Sequence, residues 1–191
     1  MMKLILASQS PRRKALLEQM GFQDFEAIPA QGKEEADPAL PPEEYVERLA
    51  LHKAQEVAAN QGEDAVVIGA DTVVVLDGHI LGKPKNAAEA LQMLTALSGR
   101  KHLVHTGVAV ICGGEVELRH ETTKVTFCTL TQREMLAYIA TGEPMDKAGA
   151  YGIQGRGALF IDKIEGDYYN VVGLPISCLN RMLGRFGVQS I

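Results

Sequence analysis

The stretch Ala65-Val66-Val67-Ile68-Gly69-Ala70-Asp71-Thr72-Val73-Val74-Val75-Leu76 is too continuous and too β-branched to be a helix with one apolar face. It reads as a strand buried on both sides, the kind found inside α/β sheets. Upstream, Leu4 to Ala7 reads as another buried strand. Ser10 then serves as N-cap and Pro11 takes the first helical position, where its missing N–H costs nothing. That helix runs to about Met20 and stops at Gly21. An extended piece, Phe25 to Pro29, leads through the acidic, proline-rich loop GKEEADPALPP into a helix from about Glu43 to Asn60.

Downstream, Asp77-Gly78 is a turn that returns His79 to Leu81 as a hairpin partner. A helix from Ala87 to Leu97 closes at Gly99, and the segments His102–Ile111 and Val116–Leu130 flank Cys112-Gly113-Gly114 as a long hairpin. Thr131 caps a helix to about Ala140, a glycine-studded loop runs from Gly142 to Gly157, and a strand from Ala158 to Ile164 precedes a last helix after Pro175. Helical and extended patterns alternate throughout, which predicts an α/β fold. No repeat or linker divides residues 1–191, so the expectation is a single domain.

With 191 residues, 46% hydrophobic and 23% charged, the chain has the composition of a globular protein. A net charge of -5 provides no broad basic surface for a nucleic-acid polymer or an anionic membrane, so any anion must be met by a local cluster. The cysteines Cys112, Cys128 and Cys178 are odd in number and lack C-x-x-C spacing, which suits a reducing compartment. The apolar run Leu4–Ala7 is too short for a signal peptide, and no stretch approaches the roughly 20 apolar residues of a membrane span. The expected setting is cytoplasmic.

Asp71 is the sharpest chemical signal. A carboxylate inside a buried strand is costly unless it is hydrogen-bonded, paired or bound to a metal. Lys83-Pro84, after the hairpin, offers an ammonium that either approaches Asp71 or forms a salt bridge fixing the hairpin. In the helix from Glu43, the residues Val46, Leu49, Ala50, Ala54 and Val57 form a core-facing stripe, and Lys53 falls within it. Two readings stay open for Lys53: its stem lies along apolar surface with the ammonium in water, or the stripe lines a cleft where Lys53 meets an anion.

The segment ASQSPRRK places three cations at a helix N-terminus, the end that attracts anions. Arg13 continues the stripe of Leu16, Leu17 and Met20, whereas Lys14 lies off it with Glu18 four residues on. Glu34 and Glu35 lie in a loop long enough to fold over a site, and either carboxylate is placed to share a divalent cation with Asp71 or simply to be solvated. The segment DKAGAYGIQGRG has glycines that let backbone amides approach a ligand, and its Gln154 has both a donor and an acceptor, as base recognition requires.

No P-loop, strand-linked G-x-G-x-x-G or G-x-S-x-G is present, which disfavours a P-loop ATPase, a Rossmann enzyme and a serine hydrolase. His102 and His105 fall on opposite faces of a strand and are expected at the sheet surface rather than at zinc. Asp71-Thr72 is similar to the nucleophile segment of haloacid-dehalogenase-type phosphatases, but those need a second aspartate where this chain has Val73.

S-x-S-P-R-R at Ser8–Arg13, G-A-D-T at Gly69–Thr72, L-G-K-P at Leu81–Pro84, D-K-A-G-A-Y-G-I-Q-G at Asp146–Gly155 and V-V-G-L-P at Val171–Pro175 together closely resemble the Maf family in order and spacing. The resemblance implies a nucleotide pyrophosphatase with a mixed central sheet, flanking helices and a central cleft, like the inosine triphosphate pyrophosphatases, and a homodimeric assembly. It implies Asp71 as the proton acceptor that activates water, and Arg13, Lys53 and Lys83 as triphosphate contacts, with Ser8 in the same binding segment. Glu34 would support the metal or the water, with Glu35 as the alternative. Arg12, Thr72 and Gln154 fall at the specificity positions and resemble the branch acting on dTTP and UTP. A divalent cation, Mg, Mn or Co, is the implied cofactor, with Asp71 and Glu34 as its ligands. The alternative is a nucleotide-binding regulator of cell division, but a pure sensor needs no water-activating base.

Overall fold

The apolar stretch forms one strand, Ala65–Leu76, buried on both faces and interrupted only by half-buried Asp71 and Thr72. The computed structural model describes residues 2–32 and 36–189. In chain order the elements are β1 (Lys3–Leu6), α1 (Pro11–Gln19), β2 (Phe25–Ala27), α2 (Pro42–Ala58), β3 (Ala65–Leu76), β4 (His79–Leu81), α3 (Ala87–Leu97) and β5 (Lys101–Cys112). They continue with β6 (Glu115–Phe127), α4 (Gln132–Ile139), three 3-10 segments between Glu143 and Phe160, β7 (Ile161–Glu165), α5 (Tyr168–Val172) and α6 (Ile176–Arg185). The strand order is β2-β1-β3-β5-β6-β7, with β4 paired to β3 off that path. β1 runs parallel to β2 and β3, while β4 and β7 run antiparallel to β3 and β6. The sheet is therefore mixed, as the family resemblance implies, within the α/β fold that the alternating pattern predicts.

The chain divides into two compact units. The first contains the chain through Asp71, Thr106–Glu121 and the chain from Gly173. Its core gathers Ile5, Ala50, Ala54, Val67 and Ala109, all fully buried. The predicted α2 stripe is buried at all five apolar positions, and each Val or Leu in it contributes about 1.5–3 kcal/mol. α2 seats unusually close to the strands. A Cβ on Gly69 would run into the Ala50 carbonyl, and one on Gly107 into that of Val46, so only glycine admits this helix-on-strand approach.

The second unit contains Thr72–His105 and Thr122–Val172. Asn86 caps α3 by accepting from Glu89 N at 2.9 Å, and Thr131 with Glu134 forms a reciprocal capping box on α4. Leu94 and Leu97 are fully buried in a core that also holds Val104, Phe127, Tyr151 and Phe160. Edge-on aromatic pairs, Phe127–Tyr151 at 4.7 Å and Tyr138–Phe160 at 4.9 Å between ring centres, knit this core together.

Three local expectations change. The last strand begins at Ile161 rather than Ala158, because Gly155–Phe160 coils into a 3-10 segment whose first amides bind the Glu143 carboxylate. The short helix α5 has no counterpart in the sequence reading; Asp167 Oδ1 caps it, accepting from Tyr169 N at 2.7 Å and Asn170 N at 3.2 Å. His102 and His105 are buried, 3% and 1% exposed, not at the sheet surface. Each gains a side-chain partner, the Tyr151 hydroxyl 2.7 Å from His102 Nε2 and the Thr122 hydroxyl 2.9 Å from His105 Nδ1.

Candidate active site

In the first unit the S-x-S-P-R-R segment turns from β1 into α1. Ser10 caps the helix, its hydroxyl accepting from Arg13 N at 3.4 Å. The Ser8 hydroxyl accepts from Ser10 N at 3.2 Å and from Arg13 Nη1 at 3.3 Å, and Arg13 Nε donates to the Gly173 carbonyl at 2.8 Å. The guanidinium is thereby held from two sides, with its orientation fixed before any ligand arrives. Ser8 is buried, while Arg12 and Arg13 are half-buried.

The close seating of α2 decides what Asp71 meets. Lys53 Nζ donates to Asp71 Oδ1 at 2.6 Å, and the two side chains are each 13% exposed. Of the two readings for Lys53, the ammonium therefore meets an anion within the protein, the carboxylate that the sequence singles out. Gly69, two residues before Asp71, is the point where the α2 backbone approaches β3.

Glu34 and Glu35 lie outside the described residues. The chain leading into their loop is fixed to α2: Glu56 accepts from Gln31 N at 2.6 Å and from Gly32 N at 3.0 Å. Those amides hold the Glu56 carboxyl below its ordinary 4.5.

Thr72, Lys83 and Gln154 belong to the second unit. Thr72 follows Asp71 in β3 and is half-buried; Lys83 is exposed on the turn after β4. That turn is tied to the glycine-rich segment, Gly149 N donating to the Gly82 carbonyl at 3.0 Å. Gln154 is exposed between buried Ile153 and the 3-10 segment that begins at Gly155. The arrangement within the units thus joins Ser8 to Arg13 and Lys53 to Asp71, and links the backbone of the Lys83 turn to the segment that leads to Gln154.

Two residues that the sequence reading missed dominate the Gln154 loop. Glu143 accepts from Arg156 N and Gly157 N, each at 3.1 Å, and from the Tyr138 hydroxyl at 3.0 Å. Partial burial opposes ionisation of Glu143, but the Gly157 and Arg156 amides, the Tyr138 hydroxyl and the Lys147 charge outweigh it and hold the carboxyl below 4.5. Neither Tyr138 nor Glu143 stands out in spacing or composition; the Gly-rich run that they serve was the only signal.

Among the described residues no three His, Cys, Asp or Glu side chains form a metal cage. The Asp71 carboxylate nevertheless offers the hard oxygen donors that suit a cation such as Mg, with further ligands needed to complete its coordination.

The sequence profile of the family described as Maf-like protein matches residues 3–186. A dTTP/UTP pyrophosphatase of Bacillus pumilus (strain SAFR-032) is 54% identical over 188 residues, covering 98% of this chain and 98% of the relative. A dTTP/UTP pyrophosphatase of Moorella thermoacetica (strain ATCC 39073 / JCM 9320) is 54% identical over 191 residues, covering 99% and 97%. The solved structure of a HAM1 protein from Coxiella burnetii superposes with a TM-score of 0.50 at 15% identity, over 97% of this chain and 100% of that one, a likeness of fold.

Proposed function

The chain belongs to the Maf-like protein family, and on that premise we propose that it hydrolyses dTTP and UTP, together with modified pyrimidine analogues, to the monophosphate and pyrophosphate as a house-cleaning enzyme. The observation that carries this reading is the Lys53–Asp71 pair. Lys53 fixes Oδ1, and Oδ2 has no hydrogen-bond partner among the described residues, which suits it to accept a proton from water.

In the proposed reaction, the oxygen of that water bonds to the α-phosphorus as the bond to the α,β-bridging oxygen breaks. The water's proton goes to Asp71, and pyrophosphate leaves. No side-chain nucleophile is required, because such displacements depend mainly on positioning and charge neutralisation. Arg13, held by Ser8 and Gly173, and Lys83 contact the triphosphate; Arg12, Thr72 and Gln154 select the base. A divalent cation, Mg, Mn or Co, held by Asp71 and Glu34, would supply neutralisation of phosphate charge. The same reading sets the enzyme in the cytoplasm as a homodimer, and sedimentation of the purified chain tests the assembly.

The deciding experiment incubates the protein with UTP or dTTP and a divalent cation, and quantifies products at early times. Equal amounts of UMP or dTMP and pyrophosphate are expected. Orthophosphate as the first product would sink the proposed bond cleavage.

A further inference from the structure

The segment from Gly152 to Gly157 is a closed loop pinned at both ends by one hydrogen-bonded unit. At one end the Tyr138 hydroxyl accepts from Gly152 N at 3.3 Å; at the other, the Glu143 carboxylate takes the amides of Arg156 and Gly157. Tyr138 and Glu143 are themselves joined, hydroxyl to carboxylate, at 3.0 Å. The two ends also touch, since a Cβ on Gly157 would strike the Gly152 carbonyl. Lys147 reinforces the base of the loop, its stem running past Gly152 and its ammonium donating to the Glu143 carbonyl at 2.6 Å. Gln154 sits midway between the pins, exposed at the loop's tip.

We propose that Glu143, acting with Tyr138, is a positioning residue for substrate selection: it sets the height and orientation of Gln154 and so controls which base the enzyme accepts. The proposal rests on the pyrimidine-reading role given to Gln154 above. Glutamine discriminates by presenting a donor and an acceptor at fixed positions, so its selectivity is only as good as the rigidity of the backbone that carries it. A charged acceptor that binds two amides and a hydroxyl is well suited to that task, because hydrogen bonds to an ionised group are about twice as strong as neutral ones. Glu143→Gln replaces one acceptor oxygen with an NH2 group that faces an amide N–H, which breaks one pin.

The experiment compares Glu143→Gln, Tyr138→Phe, Gln154→Ala and the double variant Glu143→Gln/Gln154→Ala with the unaltered protein, reading kcat and KM for UTP, dTTP, CTP, ATP and GTP. Circular dichroism and amide hydrogen exchange accompany the kinetics. In Glu143→Gln the KM for UTP and dTTP should rise about tenfold, with the loss in KM rather than kcat, because base contacts bind ground and transition states alike. The pyrimidine-over-purine ratio should fall by about the same factor, and Tyr138→Phe should give a smaller change in the same sense. Within the Gln154→Ala background, Glu143→Gln should add less than about twofold, since both changes act through one contact. The Arg156 and Gly157 amides should exchange faster in Glu143→Gln, a readout that needs no turnover.

A merely structural role for Glu143 would instead give the same further loss in both backgrounds, and that result overturns the proposal. So does unchanged exchange at Arg156 and Gly157, or unchanged selectivity in both Glu143→Gln and Tyr138→Phe while Gln154→Ala loses it; those outcomes leave the base-reading role of Gln154 intact. If Gln154→Ala itself keeps full pyrimidine preference, the base-reading role falls and the positioning role falls with it.

Discussion

Lys53 Nζ and Asp71 Oδ1 stand 2.6 Å apart although 18 residues separate them in sequence, one on α2 and the other on β3. A half-buried carboxylate with one oxygen held by an ammonium is fixed in orientation and largely withdrawn from bulk water. Removing either partner therefore has different consequences for fold and for turnover. Lys53→Ala leaves Asp71 without its charge partner and should destabilise the protein by about 3 kcal/mol in denaturant unfolding. Lys53→Ala/Asp71→Ala should be less destabilised than Lys53→Ala, because no uncompensated charge remains. Asp71→Asn removes the countercharge of Lys53 but keeps an oxygen for its hydrogen bond, so it should cost less stability than Lys53→Ala and still fold, while kcat for UTP drops by at least about a hundredfold. Retained turnover in Asp71→Asn would remove this residue from the chemistry.

Gly69 controls the same pair through packing. Its Cα faces the Ala50 carbonyl and Ala54, with no room for a Cβ. Gly69→Ala must displace α2 from β3, which should cost about 1–3 kcal/mol and lengthen the Lys53–Asp71 contact. A variant with native thermal stability and full turnover would show that the helix can shift without disturbing the pair.

The contrast between Asp71 and Glu143 explains how far the sequence could be read. Asp71 is conspicuous because it breaks an apolar run, and Lys53 because it breaks an apolar stripe; burial makes both exceptions visible in one dimension. The long strands and two of the capped helices are legible for the same reason, their apolar periodicity and their Ser10 and Thr131 caps being local signals. Glu143 is different. It is one acidic residue in a polar loop, and its importance arises from amides 13 and 14 residues away, brought to it by a 3-10 turn with no periodic signature. His102 was misplaced because alternation along a strand assigns opposite faces but does not say whether each face is covered.

Divalent cation dependence is the third expectation. Asp71 and Glu34 would give the cation two carboxylates, so it would depend on substrate phosphates for the rest of its donors and should bind weakly to the free protein. Chelation during turnover should lower the rate by more than about a hundredfold, with recovery on adding Mg or Mn. Titration of the free protein by calorimetry should show binding far weaker than in the presence of a non-hydrolysable triphosphate. Full activity in excess chelator would overturn the cation requirement.

Acid should destabilise the second unit through His102 before it reaches the carboxylates. Burial lowers the His102 pKa from the ordinary 6.5 to about 4, because the ring sits edge-on to Phe127 and Tyr151 with Nδ1 unpartnered among the described residues. Above pH 6.5 the ring is neutral in both folded and unfolded chains, and it contributes no pH dependence. Between 6.5 and about 4 the unfolded chain takes up a proton that the folded chain refuses, so stability falls as pH falls, by about 3 kcal/mol over that window. Glu143 acts in the same direction but lower: its depressed pKa stabilises the fold above the ordinary 4.5, and that contribution is lost as pH drops through its folded value. Denaturant unfolding at successive pH values should therefore show two regions of decline. His102→Phe should flatten the upper region and leave the lower one, at the cost of the Tyr151 hydroxyl's 2.7 Å hydrogen bond. An unchanged slope between pH 6.5 and 4 in His102→Phe would assign the acid sensitivity to another group.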